Sequence, residues 1–314
     1  MSFQNTSSNT LSAVIVSYNV RDYVLEGIES LYKHCVFPIQ IILIDNNSDD
    51  QTVDFVKKKY PEVSIIENKK NVGFSAANNQ GFKLCKGDYV LMFNPDALLI
   101  NDSIIKMMDE LKSNKNNNIL IGPKLINTDD SLQVSCWKFP SLVQHILELF
   151  FFNGIIDTSK YSNSELNKPI SVDFISGAFI LMSKKTIDLL NGLDENLFWM
   201  DDVDLCKRNL ELGGMNIFYP YATARHHIGK SSSKKQKIVI SNQIISKLKF
   251  YKKHKQFFNY SISILIYFLQ IITRIFLFFI LSLFSKIYKS KLEAYVFSMS
   301  KFFKYILFNK HSLI

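Results

Sequence analysis

The strongest constraint in this sequence is an alternation in its first hundred residues. A short β-branched apolar run, a break rich in Asn and Asp, and a stretch with helical spacing follow one another repeatedly. LSAVIVS (11–17) breaks at Tyr18-Asn19 before a helical pattern over 22–34, and IQIILI (39–44) breaks at DNNSDD before a second over 52–60. A third run, 63–66, leads through Asn71-Val72-Gly73 to a helix ending at Leu84, and a fourth, 88–93, runs into Asn94-Pro95-Asp96. Strands of about five residues alternating with helices of about twelve predict right-handed βαβ units and a mostly parallel sheet covered on both faces. In such sheets ligands sit at the carboxyl ends of the strands. Asn19, Asp45 and Asp96 all fall there. Turn and N-cap chemistry explains an Asp or Asn at any one strand end, but less readily three in register.

Beyond residue 119 the pattern loosens. ILIGPKLI and SLQVSCW read as added strands, 142–152 as a long apolar helix, and 172–182 (VDFISGAFILM) as a last strand. Gly177 inside that run marks either a bulge or a close backbone approach. The densest polar signal is FWMDDVDLCKR (198–208), which opens a helix with Asp201, Asp202 and Asp204. The helix dipole favours acids in a first turn. Phe198 and Trp199 would add an apolar wall of the kind that raises a carboxylate pKa and suits it to general-base work. A strand over 214–220 then precedes Arg225-His226-His227-Ile228-Gly229-Lys230-Ser231. With Asp96, a histidine here makes plausible a hard divalent cation bound by one carboxylate, one imidazole and phosphate oxygens. No GxGxxG or GxxxxGK[ST] follows a strand and no GxSxG occurs, so the dinucleotide, P-loop and nucleophile-elbow signatures are absent.

The ordered set VIVSYN, IDNNSDD, NVGFSAANNQG, FNPDA, SGAFILMSK, GLDENLFWMDDVDLCKR and HHIGKSS resembles the inverting glycosyltransferases of family 2, most of all their rhamnosyltransferase-like branch. The resemblance runs from about residue 11 to 233. It implies a GT-A fold, Rossmann-like with helices on both faces of the sheet, a nucleotide-diphosphate sugar donor (dTDP-rhamnose or a UDP-sugar), and a Mg²⁺ or Mn²⁺ ion. By the same resemblance Tyr18 and Asn19 would line the nucleotide pocket, Asp45 would hydrogen-bond the base, and Asn71 and Gly73 would lie along the nucleotide and phosphates. Asn94-Pro95-Asp96 stands where the family has its DxD, with Asp96 as the metal-binding acid and Asn94 replacing the first Asp. His226 fits the family's HxxGxS better than His227, because Gly229 and Ser231 fall at the matching offsets. Asp201-Asp202 stands where the family has Glu-Asp, so Asp202 would be the general base and Asp201 its acceptor-orienting neighbour.

The net charge of +9 is unevenly spread. Residues 231–314 hold fifteen basic residues and one acid, Glu293, whereas residues 1–230 are net acidic. The same basic tail contains the longest apolar run, 257–284, so an anionic membrane surface explains the charge better than nucleic acid does. That run is long enough to span a bilayer. Yet Asn259, Ser263, Gln270 and Arg274 form one narrow polar stripe, and lysines crowd both flanks. A helix lying in the interface is therefore preferred to a span or to a helix packed on the body. The expected organisation is a disordered N-terminus (1–10), a catalytic domain (11–233) and a helical membrane-associating region (234–314). The body is expected to be cytoplasmic at the inner face of the cell membrane, with a glycan or lipid-linked acceptor in cell-surface polysaccharide synthesis. Oligomeric state stays open. The four cysteines form neither a CxxC nor a Cys/His cluster and read as reduced, buried thiols. Two rival readings are a non-catalytic sugar-nucleotide or lipid-binding module, which has no need of Asp202 or His226, and a metal-dependent nucleotidyltransferase, which needs a basic Gly-rich loop that Tyr18-Asn19-Val20-Arg21 does not supply.

Overall fold

All seven residues of β1 (Leu11–Ser17) are buried, which places this strand inside a sheet covered on both faces. The computed structural model describes residues 10–114, 118–162, 164–227 and 236–308. Most of the expected disordered N-terminus, and Gly229 and Ser231 of the histidine motif, lie outside the described residues. The chain continues through α1 (Arg21–His34), β2 (Ile39–Asp45), α2 (Thr52–Lys59), β3 (Ser64–Glu67), α3 (Phe74–Leu84) and β4 (Tyr89–Phe93). These strands pair in the order β3-β2-β1-β4, all parallel.

The second half of the sheet is mixed. After β5 (Ala97–Leu99), α4 (Ser103–Ser113), β6 (Ile119–Ile126), β7 (Leu132–Gln133), β8 (Cys136–Trp137) and α5 (Leu142–Leu149), the chain forms the short β9 (Ile170–Ser171) and β10 (Phe174–Ile175). Next come β11 (Phe179–Ser183), α6 (Lys184–Leu189), α7 (Asp201–Glu211) and β12 (Met215–His226). The order extends as β4-β11-β6-β12-β5, with β11 antiparallel to both neighbours and β12 parallel to β6. Alternate residues feed two cores, as the period of a strand requires. Ala13, Ile15, Leu91 and Phe93 meet Val24, Ile28 and Met107 on one side. Val14, Val16, Val90 and Met92 meet Ala77, Phe82, Leu205 and Cys206 on the other.

Three expectations change. The strand expected over 172–182 is broken: β10 ends at Ile175, β11 starts at Phe179, and Gly177 lies in the turn between them. A Cβ on Gly177 would lie 3.2 Å from Asp202 Cβ, so the glycine serves close approach and not a bulge. The strand expected over 214–220 runs on past Pro220 through an irregularity and ends on His226 itself. The apolar helix expected over 142–152 stops at Leu149, where the backbone turns through Phe151 at φ 63°. All four cysteines are buried free thiols, as expected.

The C-terminal region folds as α8 (Gln236–Lys253), α9 (Phe257–Ser282) and α10 (Lys286–Phe308), packed together around Ile245, Leu248, Tyr267, Ile271 and Phe302. It is joined to the body at two places. Phe250 and Tyr251 of α8 pack on Leu197, Met200 and Val203, the approach to α7. His145 of α5, wholly buried, bonds Tyr251 Oη at 2.7 Å and Tyr267 Oη at 3.0 Å. The polar stripe of α9 turns toward the protein: Ser263 and Arg274 are buried, and Arg274 donates to the carbonyls of Glu148 and Leu149 at the end of α5. The opposite stripe, with Leu265, Leu269, Ile272, Phe276 and Phe279, is exposed. Among the described residues α9 is the one helix long and apolar enough to cross a membrane.

The tightest of these ties is ionic. Asp204, fully buried in α7, accepts from Arg208 Nε at 2.8 Å, and its other oxygen faces Lys253 Nζ at 2.8 Å and His254 Nε2 at 3.0 Å. Although burial opposes ionisation, these partners hold the Asp204 carboxyl down at about 2. Removing one member of a buried ion pair typically costs about 3–5 kcal/mol. Asp204→Asn is expected to lose that much at pH 7, read from urea-unfolding midpoints. Because the folded pKa lies below the unfolded value of about 3.9, the contribution is complete above that pH and lost as pH falls toward 2. The gap between variant and wild type should therefore close on acidification.

Candidate active site

The residues singled out at the strand ends converge on the carboxyl edge of β2-β1-β4. Asn19, at φ 56°, donates its N–H to Ser48 Oγ at 3.0 Å and accepts from the Asp49 N–H at 2.8 Å, which knits the β1 exit to the β2 exit. Tyr18 lies half-buried beside it. Asp45 is buried, and each of its oxygens already accepts from Ser48, from the N–H at 2.8 Å and from Oγ at 2.6 Å. Its first task is to hold this turn, and the second lone pair on each oxygen is what it offers a ligand. Asn71 accepts from the Gly73 N–H at 2.9 Å. Gly73 opens α3 at φ 91°, a conformation that favours glycine, and presents open space where a side chain would stand.

At the end of β4 the two sequence signals for a cation meet. His226 Nε2 lies 3.2 Å from Asp96 Oδ1, both largely buried. Among the described residues it is His226, and not His227, whose ring faces this carboxylate; His227 instead packs its ring on Tyr23, and its N–H donates to the Asp96 carbonyl. Gln133 of β7 fixes the His226 tautomer. Its Nε2 donates to Asn127 Oδ1 at 2.9 Å and to the His226 carbonyl at 3.3 Å, so its Oε1, 2.9 Å from His226 Nδ1, must accept. That leaves Nε2 as the ring nitrogen facing a carboxylate oxygen. A proton on Nε2 would close a direct ion pair with Asp96, and without it the two atoms could serve as ligands of one shared cation. Ligands about 2.1 Å from an octahedral ion stand about 3 Å apart at right angles, so the pair fits Mg²⁺ or Mn²⁺. Asn94 Oδ1, buried nearby, has no hydrogen-bond partner among the described residues, and neither has Ser17 Oγ at the end of β1. No third His, Cys, Asp or Glu joins the pair among the described residues, which leaves the remaining positions to oxygens of a ligand or of water.

The acids of α7 stand across the β10–β11 turn. The Gly177 N–H donates to Asp202 Oδ2 at 2.9 Å and the Val203 N–H to Asp202 Oδ1 at 2.8 Å, while the Ala178 carbonyl accepts from the Asn94 N–H at 2.9 Å. Two consecutive residues, Gly177 and Ala178, thus couple the Asp96 loop to the Asp202 carboxylate. Asp201 is 8 % exposed and accepts from Ser75 Oγ of α3 at 3.3 Å. Burial raises both carboxyls, and the Asp202 charge adds to it at Asp201, which is pushed up to about 7. The expected wall of Phe198 and Trp199 is not closed, since Trp199 is 44 % exposed. Its backbone is in the left-handed region at φ 72°, strain of about 1–3 kcal/mol held next to the acids. Sequence reasoning missed Gln133 and Ser75. Gln133 sits in no motif and Ser75 is an unremarked position inside NVGFSAANNQG, and each is brought in by a contact at least 93 residues away along the chain.

Comparison with known proteins agrees with this geometry. The profile of Glycosyl transferase family 2 matches residues 12–189, more than half of the chain. The chain is 26 % identical over 243 residues to an N-acetylglucosaminyl-diphospho-decaprenol L-rhamnosyltransferase of Mycobacterium tuberculosis, covering 72 % of this chain and 79 % of that one. It is 25 % identical over 223 residues to the rhamnosyltransferase WbbL of Escherichia coli K12, covering 66 % and 78 %. Among solved structures, a mannosyltransferase from Pyrobaculum calidifontis in complex with GDP-Man and Mn²⁺ superimposes with TM-score 0.56 at 13 % identity, covering 96 % of this chain and 88 % of that one. GalNAc-T7 with UDP, GalNAc and Mn²⁺ superimposes with TM-score 0.55 at 15 % identity, covering 79 % of this chain and 50 % of that one. The sheet order, the paired acids and these likenesses carry one conclusion: the protein has the GT-A fold and belongs to glycosyltransferase family 2.

Proposed function

We propose that the protein moves a sugar, with inversion, from a nucleotide-diphosphate donor to a hydroxyl of a lipid-linked glycan at the inner face of the cell membrane. dTDP-rhamnose, or failing that a UDP-sugar, is the favoured donor. The observation that carries this reading is the pairing of Asp96 and His226 on one side of the Gly177 turn with Asp202 on the other. The rhamnosyltransferase relatives support the donor and acceptor classes. The exposed apolar stripe of α9, with exposed Lys255, Lys286 and Lys289 around it, supports the membrane. An in-plane position is favoured over a span because α9 packs along α8 and α10, both lysine-bearing, and against α5 of the body.

Asp202, its carboxylate held by two backbone N–H groups, takes the proton of the acceptor hydroxyl. The freed oxygen forms its bond to the anomeric carbon as the bond from that carbon to the diphosphate breaks on the opposite side, inverting the centre. Asp96 and His226 would hold Mg²⁺ or Mn²⁺ beside the diphosphate, whose growing charge that ion neutralises. Asn71 and Gly73 offer a short polar wall along the nucleotide, while Tyr18, Asn19 and Asp45 form its floor. Asp201, more deeply buried than Asp202, keeps the proton that the pair shares near neutrality.

The test is a panel of sugar nucleotides with Mn²⁺ or Mg²⁺, scored by thermal stabilisation and by transfer to a GlcNAc-diphosphate lipid. One donor is expected to stabilise the protein in a metal-dependent way. Asp96→Ala should abolish that stabilisation, whereas Asp202→Asn should keep it and lower turnover about 10²- to 10⁴-fold. Stabilisation that persists without metal, or in Asp96→Ala, would refute the assigned cation pair. A second prediction concerns pH. Transfer needs Asp202 ionised, so the rate should fall tenfold per unit on the acid side of the raised pKa of the pair. Because Asp201 keeps its proton while Asp202 ionises, Asp201→Asn replaces an uncharged neighbour and should leave that limb of the kcat profile in place. A limb that moves to lower pH in Asp201→Asn would mean that Asp201 carries charge beside the base and would overturn this division of the proton.

A further inference from the structure

A single helix lying in a membrane plane leaves the molecule free to roll about the helix axis. The structure carries a second apolar element off that axis. Along α5 and its C-cap, burial of His145 against Tyr251 and Tyr267 turns Val143, Ile146 and Phe150, spaced three and then four residues apart, to the outside. The turn that follows exposes Phe151, Phe152, Ile155 and Ile156, with Ile155 at 80 %, and residues 150–156 contain no charge. Exposed aromatic and aliphatic side chains gathered this densely are unusual on a soluble surface and mark an interaction site.

The turn is not loose. Arg274 of α9 donates to the carbonyls of Glu148 at 2.6 Å and Leu149 at 3.2 Å, which caps the end of α5, and its guanidinium lies over the Phe151 ring. This accounts for an arginine within an otherwise apolar helix: it aims the turn relative to the outer face of α9. The occupant is indicated by charge as well as by apolarity. Lys255, Lys286 and Lys289 are exposed at the two ends of α9, within a region carrying fifteen basic residues against one acid. Apolar side chains with a basic fringe match an anionic bilayer.

We propose that residues 150–156 form a wedge that enters an anionic bilayer together with the outer face of α9, so that the protein is seated at two points and its roll is set. This rests on the membrane reading given above, and the test separates the two. Ile155→Cys, Phe276→Cys and, on the exposed side of α2, Lys58→Cys are each made in the full chain and labelled with an environment-sensitive fluorophore. The natural cysteines are all buried and stay unlabelled. With phosphatidylglycerol vesicles, the probes at 155 and 276 should shift to the blue and escape an aqueous quencher while the probe at 58 does not. A response at 276 without one at 155 overturns the wedge and leaves the membrane helix standing. No response at either overturns both. A blue shift at 155 without vesicles, with a doubled mass, would assign the surface to a second copy and overturn the wedge. Phe152→Ser with Ile155→Ser, which leaves the groups that Arg274 bonds and stacks on unchanged, should lower vesicle partitioning about tenfold or more without changing transfer to a water-soluble acceptor.

Discussion

The start of α7, with the two acids of the candidate site, depends on one buried charge. Asp204 carries no exposed surface, and a carboxylate so placed is tolerable only because Arg208, Lys253 and His254 converge on it. Arg208 extends the network with bonds to the carbonyls of Leu190 and Gly192, and Lys253 adds Asp194. The segment from 190 to 204 is therefore held from both sides, by its own helix and by the end of α8. Three residues before Asp204 that helix begins with Asp201 and Asp202, so the network also positions the carboxylate read as the base.

The candidate site follows the opposite rule. Where Asp204 is fully neutralised, the groups gathered there are less fully paired: an Asn94 oxygen with no partner among the described residues, and two adjacent carboxyls that resist ionising together. Buried polar groups in this state are costly. Their clustering at one end of the sheet is the arrangement that a charged ligand and its counter-ion would complete, with the donor geometry set in advance.

Much of this was legible along the chain because it was local. β-Branched runs followed by Asn or Asp locate the ends of β1, β2 and β4, and the offsets in HHIGKSS favour His226, the ring the structure turns to Asp96. What was not legible depends on distant pairing. Gln133 acquires its role only when β7 and β12 both pair with β6, and Gly177 reads equally well as strand or turn until Asp202 packs on it. Asp204 looks like an ordinary first-turn acid, since its partners Lys253 and His254 lie about fifty residues on, at the end of another helix. Periodicity revealed the polar stripe of α9, but a period shows that two faces differ and not which of them the rest of the protein covers.

The double duty of α8 has a bearing on how such enzymes diverge. One face of α8 joins the C-terminal bundle, and Phe250, Tyr251 and Lys253 grip the approach to the acids of α7. The C-terminal region is thus not an interchangeable appendage. A C-terminal region exchanged between relatives would have to bring partners for Leu197, Met200 and Asp204 with it, and a drift at Lys253 would have to be answered at Asp194 or Asp204. Changes in the C-terminal bundle and retention of the geometry around Asp201 and Asp202 are, in this architecture, coupled through one helix.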